Sequence, residues 1–221
     1  MWLDIPRSVP PPTTVQSLDG FSAKVSWVPP TGEIRGLIDR YELKAYNRDQ
    51  PEAPPIRATY LANGNFTGVL PGLTPATRYI ISVSACSPVG CTESLHNNNG
   101  DDNDLRTSLT TPEEAPDAVS PPAAVSSPSA LYITWEPPAR PNGDITEFLL
   151  YHNNQMVYRG KDRQHNITGL GVYSTHVLVL SACTSVGCTN SSQVTVLTSQ
   201  LPPGPLHAPT LTPLDSRTIL V

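Results

Sequence analysis

The chain has 221 residues, of which 38% are apolar and 6% aromatic, and its formal net charge is −5. This length is typical of one or two domains, and the low aromatic content favours two small cores over one large core. The acidic balance argues against a nucleic-acid partner. No apolar run approaches the roughly 18 residues that cross a bilayer, so we expect no membrane insertion by this stretch.

Short runs of alternating apolar residues follow the chain and are separated by proline-rich turns. Ala23, Val25 and Trp27 recur at every second position, and a strand with the same period begins near Ile38. A period of two is typical of strands, and the 25 prolines are incompatible with helix interiors. The proline-rich residues 49–55 are expected to form an excursion at a sheet edge. The pattern predicts an all-β protein built from β-sandwiches.

A short phrase occurs twice and contains all four cysteines of the chain. Residues 82–94 read SVSACSPVGCTES, and residues 179–192 read VLSACTSVGCTNSS. Cys86 and Cys183 are 97 residues apart, as are Cys91 and Cys188. A repeat at this distance has the size of one small domain, so the phrase marks the same corner of two successive domains.

The order of motifs repeats along the chain and sets the predicted boundaries. We assign residues 1–5 to an added end or the tail of a preceding domain, 6–111 to one sandwich, 112–116 to a linker and 117–199 to a second sandwich. Residues 200–221 repeat the start of a unit and stop one position before the expected tryptophan. We expect this last segment to be a linker and the truncated start of a third domain, and to pack poorly.

The motifs resemble those of the fibronectin type III family over nearly the whole chain. The first unit carries Trp27-Val-Pro-Pro, Ile38-x-x-Tyr41 and Leu73-Thr-Pro-x-Thr-x-Tyr79, and the second carries Trp135-Glu-Pro-Pro, Ile145-x-x-Phe148 and Leu170. The second unit departs from the family at Val172 and His176, which replace the proline and the corner tyrosine. We expect the motif residues to anchor the two cores, namely Trp27, Tyr41, Leu73, Tyr79, Trp135, Phe148 and Leu170.

Most members of this family lack cysteine, and the repeated cysteine phrase is similar to that of a giant extracellular protein of hair cells and photoreceptors. That resemblance implies a cell-surface and matrix-associated link in a long array of such domains, needed for hearing and vision. It implies neighbouring domains of the same chain as partners, together with matrix proteins such as type IV collagen and fibronectin. It implies no cofactor.

Alternation also predicts what the cysteines do. Tyr79, Ile81, Val83 and Ala85 face one way, so Cys86 points to the other face, which disfavours a disulfide between the sheets. We predict local bridges, Cys86–Cys91 and Cys183–Cys188. The alternatives are free thiols or a zinc site, although the paired cysteines lie a domain apart and have no nearby histidine.

Paired cysteines and three glycosylation sequons indicate an extracellular setting, secreted or in a cell-surface ectodomain. The sequons begin at Asn65, Asn166 and Asn190. Residues 97–104 (NNNGDDND) form an acidic insertion whose oxygen ligands suit calcium, but the loop lacks the closing glutamate of an EF-hand. We therefore expect a solvated acidic loop and no metal site.

No catalytic constellation is visible, because the five histidines are scattered and no phosphate-binding glycine motif occurs. We predict a non-enzymatic spacer or adhesion module. The alternative is a dedicated binding module for a matrix or cell-surface protein, with the sheet edges and cysteine hairpins as its natural surfaces. A cytokine-receptor ectodomain is disfavoured by the absence of a Trp-Ser-x-Trp-Ser motif.

Overall fold

The architecture comes from a computed structural model of the chain. It describes residues 5–6, 8–31, 37–94, 107–206, 208, 212–213 and 219–220. The acidic insertion at residues 97–104 lies outside the described residues. Within the described residues, no helix has the length and apolar character required to cross a membrane.

In the described residues of the first sandwich, domain 1, eight strands form two antiparallel sheets. One sheet has the order β1-β2-β5, and the other has the order β4-β3-β6-β7, with β8 also paired to β6. The strands are β1 (Thr14–Asp19), β2 (Ser22–Ser26), β3 (Arg40–Asn47), β4 (Ile56–Leu61), β5 (Thr67–Pro71), β6 (Arg78–Ser87), β7 (Gly90–Glu93) and β8 (Ser108–Thr110).

The second sandwich, domain 2, repeats this arrangement. Its sheets have the orders β13-β10-β9 and β12-β11-β14-β15, with β16 also paired to β14. The prediction of tandem all-β sandwiches is therefore confirmed. The strands are β9 (Ala123–Ser126), β10 (Ala130–Thr134), β11 (Glu147–His152), β12 (Gln155–Gly160), β13 (Gln164–Thr168), β14 (Thr175–Cys183), β15 (Cys188–Asn190) and β16 (Val194–Leu197).

Two short strands follow domain 2, β17 (Thr212–Pro213) and β18 (Ile219–Leu220), which pair with each other. The residues between domain 2 and β17 are exposed where the structure describes them, with Leu201 at 60% and Leu206 at 96% exposure. Most of the remaining residues after 206 lie outside the described part of the chain, so the assignment of this segment to a third domain stays a prediction.

Each sandwich closes on its own core of inward-facing residues. Of the expected anchors, Trp27, Tyr41, Leu73 and Tyr79 are buried in domain 1, and Trp135 and Phe148 are buried in domain 2. Leu170 differs, because it is only partly buried at the edge of the second core. It lies in the turn before β14, where its backbone N–H donates to Ser129 O.

The outer face of β6 is covered as well as the core face. Cys86 lies outside the core cluster, as alternation predicts, yet it is 0% exposed, as is Ser82. Long polar side chains from the flanking strands lie over this face, and Glu93 connects them. Its carboxylate accepts hydrogen bonds from Lys44 Nζ at 2.5 Å and Tyr46 Oη at 2.8 Å, and from Ser82 Oγ.

These contacts fix the charge on Glu93. Burial raises the pKa of its carboxyl, but the hydrogen bonds from Lys44, Ser82 and Tyr46 outweigh burial and leave the pKa below its ordinary value. Burial and the neighbouring Glu93 raise the pKa of Tyr46 to about 12. The outer face of domain 1 therefore carries a satisfied ionic network, as buried polar groups require.

The corner before β6 and β14 is closed by two different schemes. In domain 1 the hydroxyl of Tyr79 accepts the N–H of Thr74 at 3.0 Å, which is the tyrosine corner of this fold. In domain 2 His176 occupies the equivalent position and bonds Ser174 Oγ at 2.8 Å. Both domains add a buried threonine, Thr111 or Thr198, whose hydroxyl bonds two backbone groups of the turn.

Candidate functional site at the domain junction

The two cysteine hairpins, residues 86–91 and 183–188, are closed by local disulfides. Cys86 pairs directly opposite Cys91 in the β-ladder, and Cys183 opposite Cys188. Each Sγ–Sγ bond joins cysteines five positions apart in sequence, at 2.09 Å and 2.07 Å. The structure thus contains the predicted pairs, one at the tip of the β6–β7 hairpin and one at the tip of the β14–β15 hairpin.

The sulfur atoms are not available as zinc ligands in this arrangement. Among the described residues, the one cluster of potential metal ligands is Glu42 with Cys86 and Cys91. Zinc is bound by thiolates, whereas both of these sulfurs are engaged in a disulfide. The cluster is therefore a carboxylate beside a disulfide.

The linker between the domains is bonded to domain 1. Glu114 reaches the β1–β2 turn, where the backbone N–H of Gly20 donates to Oε1 at 2.9 Å. The side chain of Glu114 also fills the space beside Gly20, so closely that a Cβ at this glycine would lie 2.5 Å from Glu114 Cγ. The N–H of Ala76 donates to Pro112 O at 3.1 Å. A side chain at position 20 would therefore displace the side chains of Glu114 and Pro75.

The same linker is bonded to domain 2 by its other glutamate. The carboxylate of Glu113 accepts the N–H of Asp144 at 3.1 Å and a short hydrogen bond from Ser185 Oγ. The hydrogen bonds from Ser185 and Asp144 lower the pKa of Glu113 below its ordinary value. The side chain of Glu113 thus bonds to domain 2 and that of Glu114 to domain 1. This is possible because successive side chains of an extended chain point in opposite directions.

Backbone groups of the linker complete the contact with domain 2. Glu114 donates its N–H to Asn142 O at 2.9 Å and accepts a hydrogen bond from Thr184 Oγ1 at 2.9 Å through its carbonyl. Asn142 Nδ2 in turn donates to Ala115 O at 3.0 Å. Three backbone groups of the linker, Glu114 N–H, Glu114 O and Ala115 O, are therefore paired with domain 2.

A backbone bridge ends the junction. Asp117 and Arg140 form an isolated antiparallel β-bridge, and their side chains form an ion pair of 2.6 Å. The side chain of Asp117 is 55% exposed and that of Arg140 is 68% exposed, so the ion pair contributes little to stability. Ala118 follows with a φ of 56°, a left-handed conformation that turns the chain into domain 2.

The predicted glycosylation sites are on the surface. Asn65 lies in the turn before β5, Asn166 in β13 and Asn190 at the end of β15, and all three are exposed. Their exposure is compatible with modification, and the occupancy of each site stays a prediction.

Two of the scattered histidines meet in domain 2. His152 Nε2 lies 2.9 Å from His176 Nδ1, and the ring centroids are 5.0 Å apart. Burial, and secondarily the charge of His176, lower the pKa of His152. His176 is 6% exposed and hydrogen-bonded on both ring nitrogens, which is a structural role.

The junction residues were not identified from sequence. The linker appears there as a proline-limited spacer, and its two consecutive glutamates carry no motif. Glu113, Glu114, Asn142, Thr184 and Ser185 become a group only when residues far apart in sequence are brought together. The sequence feature that could have pointed to this site is a pair of glutamates between two prolines in a seven-residue junction, Thr111–Asp117.

Comparisons with known proteins agree with the fold of the chain. The family model of the fibronectin type III domain matches residues 8–96. Usherin of Homo sapiens is 45% identical over 97% of this chain and 4% of its own length, and usherin of Mus musculus is 41% identical over 98% of the chain and 4% of its length. Phosphatidylinositol phosphatase PTPRQ of Homo sapiens is 28% identical over 86% of the chain and 8% of its length. The chain spans a small part of each relative.

Proposed function

Because this chain belongs to the fibronectin type III family, with two sandwiches of that fold in tandem, we propose that it is a non-catalytic extracellular spacer and adhesion module. Its work is to hold neighbouring domains at a defined separation and direction within a longer array. The observation that carries this proposal is the linker, whose Glu113 and Glu114 bond to domain 2 and domain 1 respectively.

A flexible linker would leave these groups to water. Here the short segment 112–116 includes two prolines and is paired at its side chains and its backbone. Proline removes conformational freedom from the linker, and each hydrogen bond adds a geometric restraint. Such a junction transmits orientation from one domain to the next, which an extended array needs to keep its reach.

The finer proposal follows the similarity to usherin. We infer that the module belongs to an array that links cell surface or matrix in sensory cells, such as hair cells with their stereocilia and photoreceptors. Neighbouring domains of the same chain are its immediate partners. The paired disulfides and exposed sequons support an extracellular location, where such bridges persist.

Residual dipolar couplings of the 221-residue chain test the spacer proposal. Backbone couplings from β-strands of both domains are expected to fit one common alignment tensor, since the junction holds the domains as one body. Two independent tensors of different magnitude would show domains that reorient freely, and would contradict a spacer with defined direction. The measurement needs no substitution, so the folded protein serves as it is.

A further inference from the structure

We infer that each cysteine hairpin is the docking surface for the segment that leads into its own domain, so that the disulfide fixes the joint to the preceding domain. The inference rests on the proposed spacer function and assigns the joint to particular residues. The leading segments are residues 5, 6, 8 and 9, which precede β1, and residues 113–119, which precede β9.

The second cysteine hairpin carries three contacts with its leading segment. Thr184 Oγ1 donates to Glu114 O at 2.9 Å, and Ser185 Oγ donates to the Glu113 carboxylate. At the hairpin turn, Ala115 lies over Gly187, at 3.6 Å from the position that a Cβ would occupy. Thr184, Ser185 and Gly187 all lie between the two bonded cysteines.

The first cysteine hairpin repeats this arrangement with different side chains. Ile5 lies over Gly90, with Cδ1 at 3.4 Å from the position of a Cβ on that glycine. Thr92 Oγ1, next to Cys91, donates a short hydrogen bond to Pro6 O. The glycines Gly90 and Gly187 occupy the same place in the repeated phrase, so the same surface is used twice.

The backbone of the two leading segments also has the same course. Ser8 has a φ of 55° and Ala118 a φ of 56°, both in the left-handed region that non-glycine residues rarely adopt. The next residues, Val9 and Val119, are each buried in the core of the domain that follows. A sterically unfavourable turn at equivalent positions indicates that the surrounding contacts hold the segment in place.

The disulfide gives this surface its rigidity. A hairpin tip without a covalent bridge is among the most mobile parts of a domain. The bridge closes a loop of six residues on which Thr184, Ser185 and Gly187 are displayed. A rigid loop loses less conformational entropy when the leading segment docks, so the joint is tighter than an unbridged hairpin would allow.

The test compares two matched double variants of the full chain by residual dipolar couplings. In C183S/C188S the bridge next to the linker is lost, and the two domains are expected to lose their common alignment tensor. In C86S/C91S the same change is made in domain 1, away from the linker, and the common tensor is expected to persist. The second variant instead releases residues 5, 6, 8 and 9, and the amide order parameters of Ile5, Ser8 and Val9 are expected to fall.

A third variant keeps both disulfides and so separates docking from folding of the hairpin. S185A removes the hydroxyl contact with Glu113 and is expected to weaken the common tensor in the same direction. A single tensor in both C183S/C188S and S185A would overturn the inference while leaving the spacer function intact. Two tensors in the unsubstituted chain would instead overturn the spacer function itself.

Discussion

At the scale of single residues, the contact between His152 and His176 makes domain 2 sensitive to acid. One ring nitrogen must be deprotonated to accept the hydrogen bond between them, whose length is 2.9 Å. Burial, and then the charge of His176, lower the pKa of His152, so the unfolded chain binds more protons than the folded one near this pKa. The contribution of this histidine pair to the stability of domain 2 is therefore fully present above the unfolded histidine pKa of about 6.5 and is lost as pH falls through the lowered folded pKa of His152.

We expect domain 2 to be less stable at pH 5 than at pH 7.5 by about 0.5–1.5 kcal/mol, the ordinary contribution of one hydrogen bond. Hydrogen exchange of the β14 amides measures this domain separately from domain 1. The variant H152Q removes the titrating ring and is expected to lose most of this pH dependence. The control H165Q changes a histidine outside the pair and is expected to retain it; equal profiles for both variants would contradict the assignment.

Glu93 illustrates why single positions on an outer strand face need the folded structure. In the sequence it is a carboxylate two residues after Cys91, with no mark of burial. In the fold its carboxylate accepts hydrogen bonds from Lys44, Tyr46 and Ser82, which lie on two neighbouring strands. The network covers the outer face of β6, whose Ser82 and Cys86 are fully buried although they point away from the core.

At the scale of elements, the turn before β6 and β14 depends on a threonine from the last strand region of each domain. Thr111 Oγ1 donates to Thr74 O at 2.6 Å and accepts the N–H of Thr77 at 3.0 Å. Thr198 does the same for Gly171 O at 2.7 Å and Ser174 N at 2.8 Å. Both threonines are 1% exposed, and their hydrogen bonds to the turn are partly buried.

The substitutions T111V and T198V are expected to destabilise their own domains by about 1–3 kcal/mol, because each removes two partly buried hydrogen bonds that hold the turn. Thermal or urea unfolding of the full chain measures the loss. T110V, at an exposed position of β8, is the matched control and is expected to change stability by less than about 0.5 kcal/mol. A loss in T110V equal to that in T111V would show that the effect is not the buried hydroxyl.

At the scale of the whole molecule, the linker glutamates connect the domains in opposite directions. E114A removes the bond to Gly20 of domain 1, and E113A removes the bonds to Asp144 and Ser185 of domain 2. Each substitution is expected to make the alignment tensors of the two domains diverge, with the unfolding free energy of each domain unchanged.

The control is E136A, which changes an exposed glutamate that is paired with Arg163 away from the linker. This variant is expected to keep one tensor. An unchanged tensor in both linker variants would show that proline stiffness alone sets the junction.

The sequence by itself determined the fold of both units, their order and their cysteine repeat. Alternation around Trp27 and Trp135 depends only on which residues face a core, and that information is local. The same alternation set the direction of Cys86, and five-residue spacing brought each cysteine opposite its partner.

Only the tertiary structure determined which residues join the two domains. The contacts of Glu114 with Gly20 and of Glu113 with Ser185 span 94 and 72 positions of the chain, and no periodicity encodes them. They arise because the turns of one domain and the hairpin of the next are brought to the same place by folding. The strands can be located from the local alternation of buried and exposed residues. The orientation of one domain relative to the other is set by polar contacts among residues distant in sequence.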